Sequence, residues 1–161
     1  MARRAIILLA FIFCLTLQAQ QTTYPRFRAY REVTKSAAAE VFTLQLPPAA
    51  SKKAQVEEVS IYCEADIDVT VELNGTSATS TYIVPTVVNG VGANAVASPY
   101  HSSNTTGGAT IDKYYVYGGT TAVVKLSGIV IPSGMTTPRN ITFRTSSFTG
   151  ALRVRVEWTE Q

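Results

Sequence analysis

The sequence predicts an all-β protein: a two-sheet antiparallel sandwich, jelly-roll-like, behind a cleaved N-terminal signal peptide. Three observations carry this expectation. Past the signal, apolar and polar residues alternate with a period of two, while helical periodicity is almost absent. Turns rich in Gly, Pro and Asn separate eight or so such runs, the spacing expected of a sandwich. The first nineteen residues have the three parts of an export signal: Arg3 and Arg4, an apolar run over 5–17, then Gln18 and the small residue Ala19.

That apolar run is 13 residues long, short of the roughly 20 helical residues a bilayer core requires. Cleavage is expected after Ala19, so 1–19 is the signal and the mature chain starts near Gln20. A lipoprotein anchor needs a cysteine at the cleavage point after small residues, and Ile12-Phe13-Cys14 does not supply one. Residues 20–40 form an N-terminal segment, either the first strand or an exchangeable arm. Within it, 24–33 suits a strand and 35–40 a helical turn or linker. The sandwich domain is expected over 41–161.

Phe42, Leu44 and Leu46 alternate until Pro47-Pro48 ends the strand. The clearest alternation runs over 59–73, from Val59 through Ile61, Cys63, Ala65, Ile67, Val69 and Val71 to Leu73. One strand of that length would span about 50 Å at 3.3 Å per residue. Two strands meeting near Glu64-Ala65-Asp66 are expected instead, the second ending at Asn74-Gly75, a dipeptide suited to positive φ. Further strands are expected over 81–88, 111–117 and 121–131, the last interrupted at Gly128. A long loop rich in Gly, Ala, Ser, Asn and Thr occupies 89–110, of the kind that is functional or mobile. Ile141 and Phe143 alternate with Thr142 and Arg144. In the last strand Leu152, Val154, Val156 and Trp158 face one way, and Arg153, Arg155, Glu157 and Thr159 the other.

Composition narrows the function. Taking 19 residues from 161 leaves 142, one domain's worth, large enough to fold without metal or disulfides. Losing Arg3 and Arg4 cuts 14 basic side chains to 12, against 11 acidic ones, a net charge of +1. No electrostatic footprint for nucleic acid remains. Cys63 would be the only cysteine left; it could pair between chains, but its place in an apolar alternation favours a buried thiol.

The search for catalytic chemistry returns no residue. His101 is the sole histidine and sits in a polar stretch, Pro99-Tyr100-His101-Ser102-Ser103. A triad with Asp66, Asp68 or Asp112 lacks any nucleophile motif, so a solvated loop residue is preferred. A Cys63–His101 pair fails because Cys63 is expected to point inward. Glu64, Asp66, Asp68 and Glu72 have a strand spacing of about 6.6 Å, superficially right for a glycosidase, but side by side on an open face. They are too spread for a calcium ion unless the chain bends. The preferred reading is an acidic face that discourages edge pairing. No metal and no cofactor is expected.

Tyrosines are the better lead. Tyr115 and Tyr117 share one strand face, Tyr114 takes the other, and Tyr100 lies in the loop before them. These four are the candidate ligand-binding residues, offering flat apolar area with a polar tip for a sugar ring or a protein; ordinary half-buried strand residues are the competing reading. Three Asn-x-Ser/Thr triplets, at Asn74, Asn104 and Asn140, are candidate glycan acceptors.

The expected function is that of a secreted, non-catalytic structural or interaction protein of the cell surface or extracellular matrix. Its partner would be itself or another surface protein, with self-assembly through sheet edges or by donation of residues 20–33 to a neighbour. The alternative is a carbohydrate-binding module built on the tyrosine strand. A hydrolase using His101 or the acidic strand comes last.

Overall fold

The computed structural model describes residues 24–74, 81–90, 92–101, 108–137 and 139–161. The expected signal segment, the Asn104 triplet and Gly75 lie outside these residues. Among the described residues there are eleven strands and no helix, in two antiparallel sheets.

The first sheet has the order β6-β1-β11-β3-β9, with β1 Arg26–Ala38, β3 Ala54–Cys63, β6 Thr86–Asn89, β9 Thr120–Ile131 and β11 Phe148–Glu160. The second has the order β5-β7-β2-β10-β4-β8, with β2 Val41–Leu46, β4 Ile67–Leu73, β5 Thr81–Tyr82, β7 Ser98–His101, β8 Ala109–Val116 and β10 Arg139–Thr145. Short connections step from one sheet to the other at β1 to β2, β3 to β4, β5 to β6, β8 to β9 and β10 to β11. They put β8 and β9 on one flank, and β5, β6 and β7 on the opposite one.

Period-two patterning explains the core. In β11, Leu152, Val154, Val156 and Trp158 are buried and meet Cys63, Ile61, Val59 and Val56 of β3 in register. From the other sheet come Phe42, Leu44, Val69, Val71, Ile141 and Phe143, so both sheets enclose one apolar cluster. Phe27 stacks on Trp158 with ring centroids 5.8 Å apart. β1 pairs with β11 from Arg26 to Ala38, which makes these residues a strand of their own sheet. Cys63 is fully buried, and burial pushes its thiol pKa up.

The alternation over 59–73 resolves into β3 and β4, separated at Glu64-Ala65-Asp66, and Asn74 closes β4 with a φ of 57°. Other segments differ from expectation. Lys35 to Ala38 continue β1 as an irregular strand, with Ala37 at φ 56°, instead of turning as a helix. The stretch 81–88 divides between the two sheets as β5 and β6, because Pro85 cannot donate to a ladder. Within 89–110 the chain forms β7, paired with both β2 and β5. β9 runs through Gly128, whose φ of 119° sits opposite a register shift in β3. β2 and most of β10 are buried on both faces, where Thr43 and Thr142 hydroxyls meet at 3.1 Å.

Candidate functional site

The tyrosines do not form one platform. Tyr115 on β8 and Tyr117 just beyond it are half and two-thirds exposed, and their rings meet edge to face at 4.9 Å. The alternation turns Tyr114 inward, where it packs against the core and donates its hydroxyl to Asp112. Burial first, then that carboxylate, pushes the Tyr114 pKa up to about 12. Tyr100 lies on β7, where it meets Tyr82 of β5 edge-on at 5.9 Å. Four strand spacings separate β7 from β8, about 19 Å at 4.8 Å each. Tyr100 therefore belongs to the opposite flank.

The Tyr115–Tyr117 corner is built by the turn between β8 and β9. Asp66 accepts the Gly118 N–H at 2.7 Å and the Tyr115 hydroxyl at 2.9 Å. The Gly118 bond, then the Tyr115 bond, holds the Asp66 carboxyl below its ordinary value, and the Asp66 bond in turn raises the Tyr115 phenol. Gly118 is needed because a Cβ there would lie 2.8 Å from the Glu64 carbonyl oxygen.

The acidic residues are dispersed into separate tasks. Glu64 accepts the Ala151 N–H at 2.7 Å, and Glu72 meets Arg144 at 3.4 Å. Among the described residues no three His, Cys, Asp or Glu side chains gather as a metal site would require. His101 corrects its expectation: it is a buried strand residue, not a solvated loop one. Its Nδ1 lies 3.3 Å from Glu40 Oε1, near enough for an ion pair but not aligned as a hydrogen bond. Glu40 also binds Lys35 Nζ at 2.6 Å. The strand pairing Phe42↔His101 fixes this position, which a polar local sequence conceals.

Two surface features escaped the sequence reading. On the outer face of the first sheet, Tyr30, Ser60, Tyr62, Thr121, Arg153 and Arg155 line a hollow of about 410 Å³. Arg153 lies over the Tyr62 ring at 5.2 Å and binds Glu32 at 3.0 Å, while Arg155 binds Glu58 at 3.0 Å. Its charges are thus matched in pairs. The second feature, a hollow of about 270 Å³, lies on the β5–β6 flank among Tyr82, Val84, Val87, Asn94 and Ala95, with Phe27 beneath. Its signal was present in the sequence as a missing residue class: residues 73–111 contain no Asp, Glu, Lys or Arg.

Fold and surfaces together define an all-β protein of two antiparallel sheets with exposed aromatic and aliphatic flanks. No protein-family model and no curated protein matches the chain. Among solved structures it is similar to a chain of infectious bursal disease virus, Gt strain, at 12% identity over 84% of this chain and 36% of that one, with a TM-score of 0.31. A chain of the T13 particle of the same virus gives 14% identity, 85% and 35% coverage, and a TM-score of 0.32. This chain spans about a third of the length of those chains, and likenesses at this level add nothing to the architecture described above.

Proposed function

We propose that this is an exported, non-catalytic structural or interaction protein of the cell surface or extracellular matrix, whose copies associate through their sheet edges. A jelly-roll arrangement is part of this reading. The pairs β1–β11, β2–β10, β3–β9 and β4–β8 nest within one another, as in a long hairpin rolled on itself. Export rests on the charged, apolar and small-residue order of positions 1–19.

The observation that carries self-association is β9. It is a 12-residue edge strand that pairs, among the described residues, with β3 alone. Lys125 is its single charge, and Val123 and Val130 are exposed. Monomeric proteins blunt such edges with charges, prolines or short strands, since an open apolar edge recruits another chain. Light scattering on the purified protein over a concentration series tests the reading. A mass that grows with concentration supports it, and a single-chain mass throughout rejects it.

The Tyr115–Tyr117 pair supports a second reading, binding of a glycan on its exposed rings. A glycan panel probed with wild type, Tyr115→Ala and Tyr117→Ala decides it. Binding unaffected by both substitutions removes this reading.

A further inference from the structure

We propose that the hollow on the outer face of the first sheet is a binding site for a neutral saccharide, separate from the Tyr115–Tyr117 corner and independent of self-association.

Strand register makes the hollow. On the outward parity two rows cross the sheet: Tyr30, Arg155 and Ser60 in one, and Glu32, Arg153, Tyr62 and Thr121 in the next. Ser60 is the small member, opposite Arg155 of β11 and two residues before Tyr62 on β3. Its short side chain leaves the floor low, and the longer neighbours stand as walls around about 410 Å³. That volume lies within the roughly 300–1,000 Å³ of small-ligand sites.

The walls are held before any ligand arrives. Glu32 accepts the Tyr30 hydroxyl through one carboxylate oxygen at 2.9 Å and the Arg153 Nε–H through the other at 3.0 Å. Arg153 in turn lies over the Tyr62 ring at 5.2 Å. On the other side of the hollow Arg155 donates to Glu58 at 3.0 Å. Side chains that fix one another lose less freedom when a ligand binds.

Elimination selects the occupant. An anion would have to compete with Glu32 and Glu58 for guanidiniums that are already paired, and a cation would meet Arg153 and Arg155 in the lining. A wholly apolar ligand would cover both guanidiniums and the Ser60 and Thr121 hydroxyls without offering them partners, at a desolvation cost. An extended peptide finds no main-chain partner, since β11 and β3 beneath the hollow are paired on both sides. What fits is uncharged, carries flat C–H faces for half-exposed Tyr30 and for Tyr62, and is dense in hydroxyls. A hydroxyl both donates and accepts, as this site requires. A guanidinium has five N–H donors, so one bond to a carboxylate does not exhaust it, while the carboxylates and the Ser60 and Thr121 oxygens accept. A short chain of neutral pyranose rings has all of these properties.

Calorimetric titration of the protein expressed from its full 161-residue sequence tests the site. The probes are soluble oligosaccharides of glucose, mannose, xylose, galactose or N-acetylglucosamine, with oligogalacturonate as the acidic counterpart. A neutral probe should bind, and its affinity should hold between about 0.05 and 0.5 M salt because no charge pairing is there to be screened. Ser60→Phe fills the hollow from its floor and Tyr30→Ala removes a wall; each should weaken binding about tenfold or more, and Tyr115→Ala should leave it unchanged. Circular dichroism checks that the variants keep the fold, and Arg153→Gln replaces either one that does not. Absence of binding by every neutral probe overturns the proposal, and so does binding that both hollow variants retain in full. Binding lost in Tyr115→Ala but kept in the hollow variants moves the glycan to the β8–β9 turn. Binding of oligogalacturonate alone, weakened by salt, makes the ligand an anion. Either of these last two results also removes the proposal, and none of the four touches self-association through β9.

Discussion

Trp158 donates its indole N–H to the Glu160 carboxylate at 3.1 Å, two residues further along the inward face of β11. The carboxylate sits where an apolar side chain would be expected, buried to 1% exposure, and the Val96 and Ala97 amides complete its partners. One acidic side chain thus ties the last strand to the segment that walls the β5–β6 hollow.

Replacing Glu160 by Gln should expose how much of that segment depends on it. The amide nitrogen would face an N–H donor, leaving at least one buried donor without an acceptor. A loss of about 2–3 kcal/mol in unfolding free energy is expected. Trp158 is the sole tryptophan, so its fluorescence in a urea titration reports the change directly. Stability within about 0.5 kcal/mol of wild type would contradict this role.

Phe27→Ala tests whether β1 belongs to its own sheet energetically. The ring is fully buried against Trp158, so its truncation should cost about 3–5 kcal/mol. The denaturant midpoint should fall at unchanged slope. A loss below about 1 kcal/mol would mean that β1 contributes little to the domain.

Stability should decline in acid, partly through Glu157. Burial by itself would raise its carboxyl pKa, but the Arg28 bond at 2.6–2.7 Å and the charges of Arg26, Arg28 and Arg155 outweigh burial and hold it below its ordinary 4.5. A depressed folded value means that the unfolded chain takes up the proton first. The stabilisation is therefore complete above about pH 4.5 and drains away as pH falls through the folded value. Asp66 acts in the same direction. Thermal melts from pH 7 to pH 2 should show a shallower acid decline for Glu157→Gln, which starts from lower stability at pH 7. An identical slope for both proteins would remove Glu157 from the account.

Cys63 should be unreactive in the folded protein. It is fully buried in β3 and its thiol pKa is raised, first by burial. In a Cys14→Ser background, a disulfide reagent should label it only after denaturant is added. Rapid labelling of the native protein would show that β3 opens at its end.

Losing the Asp66 carboxylate should loosen the β8–β9 turn. Asp66→Ala removes the acceptor of the Gly118 N–H and the Tyr115 hydroxyl. Faster amide exchange at Gly118, with the exchange of β11 unchanged, is the expected outcome.

The strands with clean alternation were legible before any coordinates. Residues 59–73 and 152–156 bury one side-chain parity, and water exclusion from that face leaves a period-two record. The short strands were not legible in the same way. β5 and β7 hold two and four residues, too few for a period to emerge, and they exist through pairing with each other and with β2. Tyr100 illustrates the consequence. Close in sequence to Tyr114, it lies on the far flank because β7 joins the second sheet beside β2.

The sequence by itself determined the strand class, the parity that buries Cys63 and Trp158, and the break at Glu64-Ala65-Asp66, because these follow from local chemistry along one strand. Tertiary structure alone decided the rest. His101 became a buried neighbour of Glu40, and Glu160 the clasp on Val96 and Ala97, through pairings across 61 and 64 residues of chain. The uncharged run gained a shape only when β5 and β6 took places on opposite sheets around Phe27. Such long-range contacts depend on which strands become neighbours, and no local periodicity encodes that choice.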